Sequence, residues 1–136
     1  MSVKIKSISV IVTRTLLGLI YFVFGLNFFL NFLPTPPSHG GAADAFAGGL
    51  FQSGYFFPML KGLEVVFGVM LLIGAFVPLA LVILMPISLN ILLFHAFLAP
   101  DSVALSLIII LLHVFLAWAY RDYFKQLFLR KAAISL

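Results

Sequence analysis

Four stretches of this chain are apolar over about eighteen residues or more, the length that an α-helix needs to cross a hydrocarbon layer. The first covers about residues 8 to 33, with Lys4, Lys6 and Arg14 at or near its start. At about 1.5 Å per residue it crosses a core of roughly 30 Å. Pro34-Thr35-Pro36-Pro37-Ser38-His39-Gly40-Gly41 then ends the helix, because proline lacks the amide donor and glycine favours non-helical backbone. The other three stretches cover about residues 55–75, 78–98 and 103–120. A short turn at Phe76-Val77 joins the second to the third, and Ala99-Pro100-Asp101-Ser102 joins the third to the fourth. Connections this tight make consecutive helices antiparallel neighbours. The pattern predicts an all-α, integral membrane four-helix bundle, built as a single domain over residues 1–136.

Two segments lie outside the four spans. Ala42 to Gln52 places Phe46, Leu50 and Phe51 on one side and Asp44 on another, which predicts a short interfacial helix between the first two spans, or an irregular apolar loop where its glycines prevail. Beyond Tyr120, Tyr123, Phe124, Leu127 and Phe128 recur at helical spacing beside Arg121, Lys125 and Lys131, an amphipathic tail over residues 121–136 suited to anionic lipid. Basic residues cluster before the first span and after the fourth, while the loops at 34–54 and 99–102 contain none. The positive-inside rule then puts both termini on the cytoplasmic side.

Composition agrees with a bilayer as solvent. The chain of 136 residues is 64% hydrophobic and 9% charged, far below the roughly 25% charged content of soluble domains. Its net charge of +4 follows from basic flanks without a patch, which excludes nucleic acid as a partner and leaves the lipid bilayer. The absence of cysteine removes disulfides, thiolate nucleophiles and iron–sulfur ligation by the chain itself. Ala45-Phe46-Ala47 resembles a cleavage site, but the apolar run before it is too long for a signal peptide and reads as an uncleaved span.

Within the spans, a few polar residues require a reason. Lys61 and Glu64 stand three apart, on one face of the second span, and each alone costs several kcal/mol in hydrocarbon. They are expected to pair and to face the bundle interior. Counting residues inward from each span end places Asn27 in the outer half of the first span and Asn90 and His95 in the middle and outer half of the third. Asn27, Lys61, Glu64, Asn90 and His95 are therefore expected to converge on one polar pocket opening outward, as ligand-binding or proton-relay candidates. Pro86, one turn before Asn90, predicts a kink beside that pocket. The same residues also fit interhelical glue, a register salt bridge and hydrogen bonds worth roughly 0.6 kcal/mol each. Gly18, Gly25, Gly68 and Gly74 are alternatives for specifying register. His113 reads as a core histidine, and a haem held between it and His95 would need an awkward geometry. No metal-ligand spacing and no catalytic arrangement is present, and His39, Asp44 and Asp101 read as solvated loop residues.

Several of these residues also carry a resemblance. Gly54-Tyr55 followed by Lys61 and Glu64, then Pro78-Leu79, Asn90-Ile91-Leu92-Leu93-Phe94-His95-Ala96-Phe97-Leu98 and Trp118-Ala119-Tyr120-Arg121-Asp122 together resemble the DoxX family, in order and spacing over nearly the whole chain. The resemblance implies a small four-helix protein of the bacterial cytoplasmic (inner) membrane. It also implies kinship with small subunits of a thiosulfate:quinone oxidoreductase and with membrane components of thiol or oxidative-stress systems.

Three functions follow as expectations. The first is a redox-associated subunit that binds a quinone or similar amphipathic small molecule for a partner redox enzyme or membrane subunit. The second is a non-enzymatic scaffold or assembly factor, whose short interfacial helix, as a lid, or basic tail engages other membrane proteins; a homo-oligomer is a separate expectation. The third is a small proton or solute transporter. Whether the chain itself catalyses a reaction is left open.

Overall fold

A computed structural model describes residues 3–135, so Met1, Ser2 and Leu136 of the expected domain lie outside the described residues. Five α-helices follow in order: α1 (Val3–Leu30), α2 (Gly41–Gln52), α3 (Phe56–Ile73), α4 (Val77–Leu98) and α5 (Val103–Ala119). A 3₁₀ turn at Pro100–Ser102 links α4 to α5, and a longer 3₁₀ segment, Arg121–Phe128, follows α5. α1, α3, α4 and α5, the last taken with its leading turn, are long and apolar enough to cross a membrane. The segment between α1 and α3 is helical despite its glycines, so the alternative of an irregular loop does not hold.

The four long helices close a ring: α1 packs on α3, α3 on α4, α4 on α5 and α5 on α1. α2 lies across one end, against α3 and α4. That end is called here the lid end, and the opposite one, where α5 runs into the Arg121–Phe128 segment, the tail end. The α1–α3 crossing is set by small residues. A β-carbon on Gly68 would come within 2.8 Å of the Phe22 amide nitrogen, and one on Gly18 within 2.9 Å of the Gly68 carbonyl oxygen. Only glycine allows backbones this close, the arrangement favoured where lipid supplies no hydrophobic drive between helices. Gly74 acts differently: it ends α3 at φ 74°, and Phe76 at φ 54° completes the turn into α4. The Arg14 guanidinium lies against Gly74, where a side chain would collide with it.

The burial pattern is the inverse of a soluble protein. Leu16, Leu19, Val66, Leu89, Ile108, Leu111 and Val114 point outward and are exposed, while Glu64, Ser88, Ser106 and His113 are buried. Outward leucine and inward carboxylate make physical sense where hydrocarbon surrounds the bundle. The apolar core, with Leu17, Leu71, Leu81, Leu84 and Leu116, fills the tail half of the ring.

Two expectations need correction. α1 stops at Leu30 and does not continue to residue 33: Asn31 turns to φ 51°, and the Asn27 side chain accepts a hydrogen bond from the Leu33 amide at 2.7 Å. The tail winds as a 3₁₀ segment through Phe128 and is irregular beyond it, so no α-helix covers residues 121–136 among those described. Its first turn is held by Arg121, which donates to the Trp118 carbonyl at 2.9 Å and lies 4.7 Å over the Trp118 ring.

Candidate functional site

At the lid end the ring interior is not filled. A cavity of about 440 Å³ opens between α2, α3 and α4, and Lys61, Glu64, Asn90 and His95 all line it. Lys61 and Glu64 share a face of α3 because they are three residues apart. The Lys61 Nζ donates to Glu64 Oε2 at 3.0 Å and to Oε1 at 3.2 Å. Glu64 is only 2% exposed and Lys61 23%, so the carboxylate is the buried end of the pair and the ammonium faces the cavity. Pairing is what makes such burial tolerable, since a lone carboxylate there would lose its hydration without compensation.

On α4, Asn90 and His95 present two further polar groups. His95 Nδ1 lies 2.8 Å from the Ile91 carbonyl oxygen, which can only accept, so Nδ1 carries the hydrogen. Nε2 makes no hydrogen bond among the described residues and, when the ring is neutral, is a free acceptor. The Asn90 carboxamide likewise makes no hydrogen bond among them. The cavity therefore offers an ammonium, a free amide and an imidazole lone pair, three groups suited to a ligand with both carbonyl and hydroxyl character.

Aromatic rings make the rest of the wall. Phe46 of α2 meets Phe94 of α4 with ring centroids 5.9 Å apart, and Phe51 of α2 meets Phe57 of α3 at 6.4 Å. These two pairs hold the short helix over the cavity mouth. The loop before it contributes Pro36, Pro37 and His39 to the lining. His39 Nδ1 is 3.5 Å from Asp101 Oδ1, an ion pair when the imidazole is protonated, which joins this loop to the α4–α5 turn. Ser38 donates to the Asp44 carboxylate, and that hydrogen bond, with the Gly40 and His39 amides, holds the carboxyl below its ordinary range. His39, Asp44 and Asp101 thus each have a partner, and of the three His39 lines the cavity, while Asp44 and Asp101 are exposed as expected.

Asn27 and Pro86 are placed elsewhere. Asn27 does not line the cavity; its carboxamide oxygen is committed to the Leu33 amide, where it shapes the exit from α1. Pro86 does not border the lid-end cavity either. It lines a second, apolar cavity of about 340 Å³ at the tail end, together with Leu81, Val82, Met85, His113, Phe124 and others.

Between the two cavities lies a polar cluster that sequence reasoning missed. Tyr21 of α1 and Ser88 of α4 share a hydrogen bond across the diagonal of the ring. Ser88 Oγ is 2.7 Å from His113 Nδ1, and His113 Nε2 is 2.9 Å from the Leu81 carbonyl oxygen. All three side chains are 1% exposed or less. A buried imidazole with no carboxylate bonded to it is neutral, and the Leu81 carbonyl can only accept, so Nε2 carries the hydrogen. Ser88 then donates to Nδ1, and Tyr21 donates to Ser88. The line has one direction, from α1 to α5.

Comparison with protein-family models, with curated proteins and with solved structures gives no match.

Proposed function

We propose that this chain is a DoxX-like membrane subunit that binds a quinone, or a similar amphipathic small molecule, in the lid-end cavity and serves a partner redox enzyme. The observation that carries the reading is the composition of that cavity. Its aromatic wall suits a flat ring, and its unpartnered Asn90 amide and His95 Nε2 stand beside the Lys61–Glu64 pair, ready for the oxygens of such a ring. The volume of about 440 Å³ is in the range of small-molecule sites. In this reading the protein lies in a bacterial cytoplasmic membrane with both termini inside, supported by the basic residues at both ends of the chain. α2 then rests along the outer surface, and the cavity opens outward. The basic tail engages anionic lipid of the inner leaflet.

The test is direct. Protein purified with native lipid is extracted for bound quinone, and a short-chain ubiquinone is titrated into nanodisc-embedded protein. Retained quinone, and binding weakened about tenfold or more by Glu64→Gln or Asn90→Ala, are the expected results. A protein that carries no quinone, binds none and supports its partner unchanged as the Lys61→Met/Glu64→Leu double variant is a scaffold whose polar residues only fix packing.

A further inference from the structure

The lid-end and tail-end cavities approach the bundle from opposite ends, and the buried Tyr21–Ser88–His113 line spans the interval between them. Its tail-end terminus is open to a cavity, since His113 is the one polar residue lining the tail-end space among the described residues. Toward the lid end, Tyr21 shares a face of α1 with Gly25, which packs against Glu64. The two lie four apart, and a β-carbon on Gly25 would sit 3.1 Å from the Glu64 β-carbon, so Tyr21 lies one turn of α1 from the level at which that helix meets Glu64.

We propose that Glu64, Tyr21, Ser88 and His113 form a proton relay that carries one proton between the lid-end and the tail-end cavity. Three hydroxyl and imidazole groups that served only to join helices would need no cavity at either end of their line, and none of the three would need to titrate. Here the line begins one turn of α1 from the level of a cavity carboxylate and ends on an imidazole in the wall of another cavity. Ser88 and Tyr21 are donor and acceptor at once, the property that lets a proton enter on one side as another leaves on the opposite side.

The transfer balances without electrons. Glu64, protonated from the lid-end cavity, gives its proton through intervening water to the Tyr21 oxygen, since the two side chains share no hydrogen bond among the described residues. Tyr21 gives its own proton to Ser88, and Ser88 gives its own to His113 Nδ1. Each hop breaks one O–H bond and forms one O–H or N–H bond. The imidazolium so formed releases its Nε2 proton to the tail-end cavity, leaving the Leu81 carbonyl without its donor. Rotation of the two hydroxyls and return of the ring to its Nε2–H form reset the line. The titratable groups at its lid-end side are Glu64, with Lys61 bound to it, from α3, and His95 of α4 and His39 of the loop before α2, which line the same cavity; to the His113 cavity the tail segment presents the apolar Phe124, Leu127 and Phe128. Because that cavity is apolar, its wetting sets the exit rate.

The relay rests on the ligand reading only for what delivers a proton to Glu64, and the two separate in one set of samples. The full chain is reconstituted into vesicles enclosing a pH-sensitive dye, and proton flux is driven by a potassium–valinomycin potential. The wild type is expected to exceed protein-free vesicles, and Tyr21→Phe and His113→Gln are each expected to lower the flux about tenfold or more. Glutamine keeps a donor for Leu81 and an acceptor for Ser88 but does not take up a proton, so it preserves a joint and breaks a relay. Thermal melting of both variants, and short-chain ubiquinone binding to both, should match the wild type. Wild-type flux at the protein-free level, or flux unchanged in whichever of the two variants folds, overturns the relay and leaves the quinone reading standing. Flux lost in the variants with no quinone bound by any sample upholds the relay and removes the quinone.

Discussion

Gly25 of α1 and Glu64 of α3 are packed so closely that a methyl group on the Gly25 α-carbon would lie 3.1 Å from the Glu64 β-carbon and 3.1 Å from the Lys61 carbonyl oxygen. The buried carboxylate thus takes its position from a glycine on another helix. Such close approach makes the α1–α3 seam sensitive to single methyl groups. Gly68→Ala, whose β-carbon would meet the Phe22 backbone, should lower stability by roughly 1–3 kcal/mol. Gly62→Ala on the same helix meets nothing within 4 Å and should be neutral or stabilising by about 0.5–1 kcal/mol. Thermal denaturation in nanodiscs checks both; equal behaviour of the two variants would contradict the seam.

The Lys61–Glu64 pair should show the asymmetry of a buried ion pair. Lys61→Met leaves the Glu64 carboxylate buried without its donor and should destabilise by about 3 kcal/mol or more. The Lys61→Met/Glu64→Leu double variant removes the stranded charge and should recover most of that loss. Chemical denaturation of the three proteins measures the difference. A double variant less stable than the single one would show that the pair holds the bundle together.

The His113 ring should be found in the Nε2–H form, since its Nε2 faces a carbonyl that can only accept. Nitrogen-15 chemical shifts of selectively labelled histidine distinguish the two tautomers. By the same logic His95 is the opposite form, with the hydrogen on Nδ1. Two histidines with identical shifts would contradict the bonding assigned to one of them.

At the mouth, the Ser38 hydroxyl holds the Asp44 carboxyl below its ordinary range. A depressed value in the folded state means that the Ser38–Asp44 tie contributes fully above the ordinary carboxylate range and is lost as the pH falls through the lowered one. Ser38→Ala should therefore raise the Asp44 pKa toward its ordinary value and weaken the hold on α2 at neutral pH, with the difference from wild type vanishing at low pH. Carbon-13 titration of the Asp44 carboxyl follows this; an unchanged midpoint in Ser38→Ala would assign the shift to the neighbouring amides.

The four spans were legible because a bilayer imposes length and apolarity with little tolerance, and Lys61 and Glu64 stood out because charge inside an apolar run is conspicuous. Asn90 and His95 followed from depth along α4. Asn27 matched them in depth but not in direction: once α1 ends at Leu30, its side chain turns to the nearest orphan amide. Tyr21, Ser88 and His113 were harder. Serine and tyrosine are unremarkable in membrane helices, and their meeting across a diagonal depends on how closely the glycine seam lets α1 approach the centre. The remaining signal was their similar depth, shared by three polar residues on three different helices. Short-range chemistry in the 34–41 loop was invisible for another reason: the His39–Asp101 pair joins residues far apart in sequence.

The unequal lengths of α1 and α3 have a mechanical consequence. The first has 28 residues and the second 18, or about 42 Å and 27 Å of helix. The glycine seam fixes their relative height, and Arg14 lies against Gly74 at the end of α3, so most of the surplus lies on one side, toward Val3, with Val10 still packed on the core. That projecting rod carries Lys4 and Lys6 beside Ile5, Ile8 and Ile11. A thicker bilayer would draw its isoleucines into hydrocarbon, while a thinner one would force it to lean over in the headgroup layer. Bilayer thickness thus acts on one end of a long lever whose other arm runs past Tyr21.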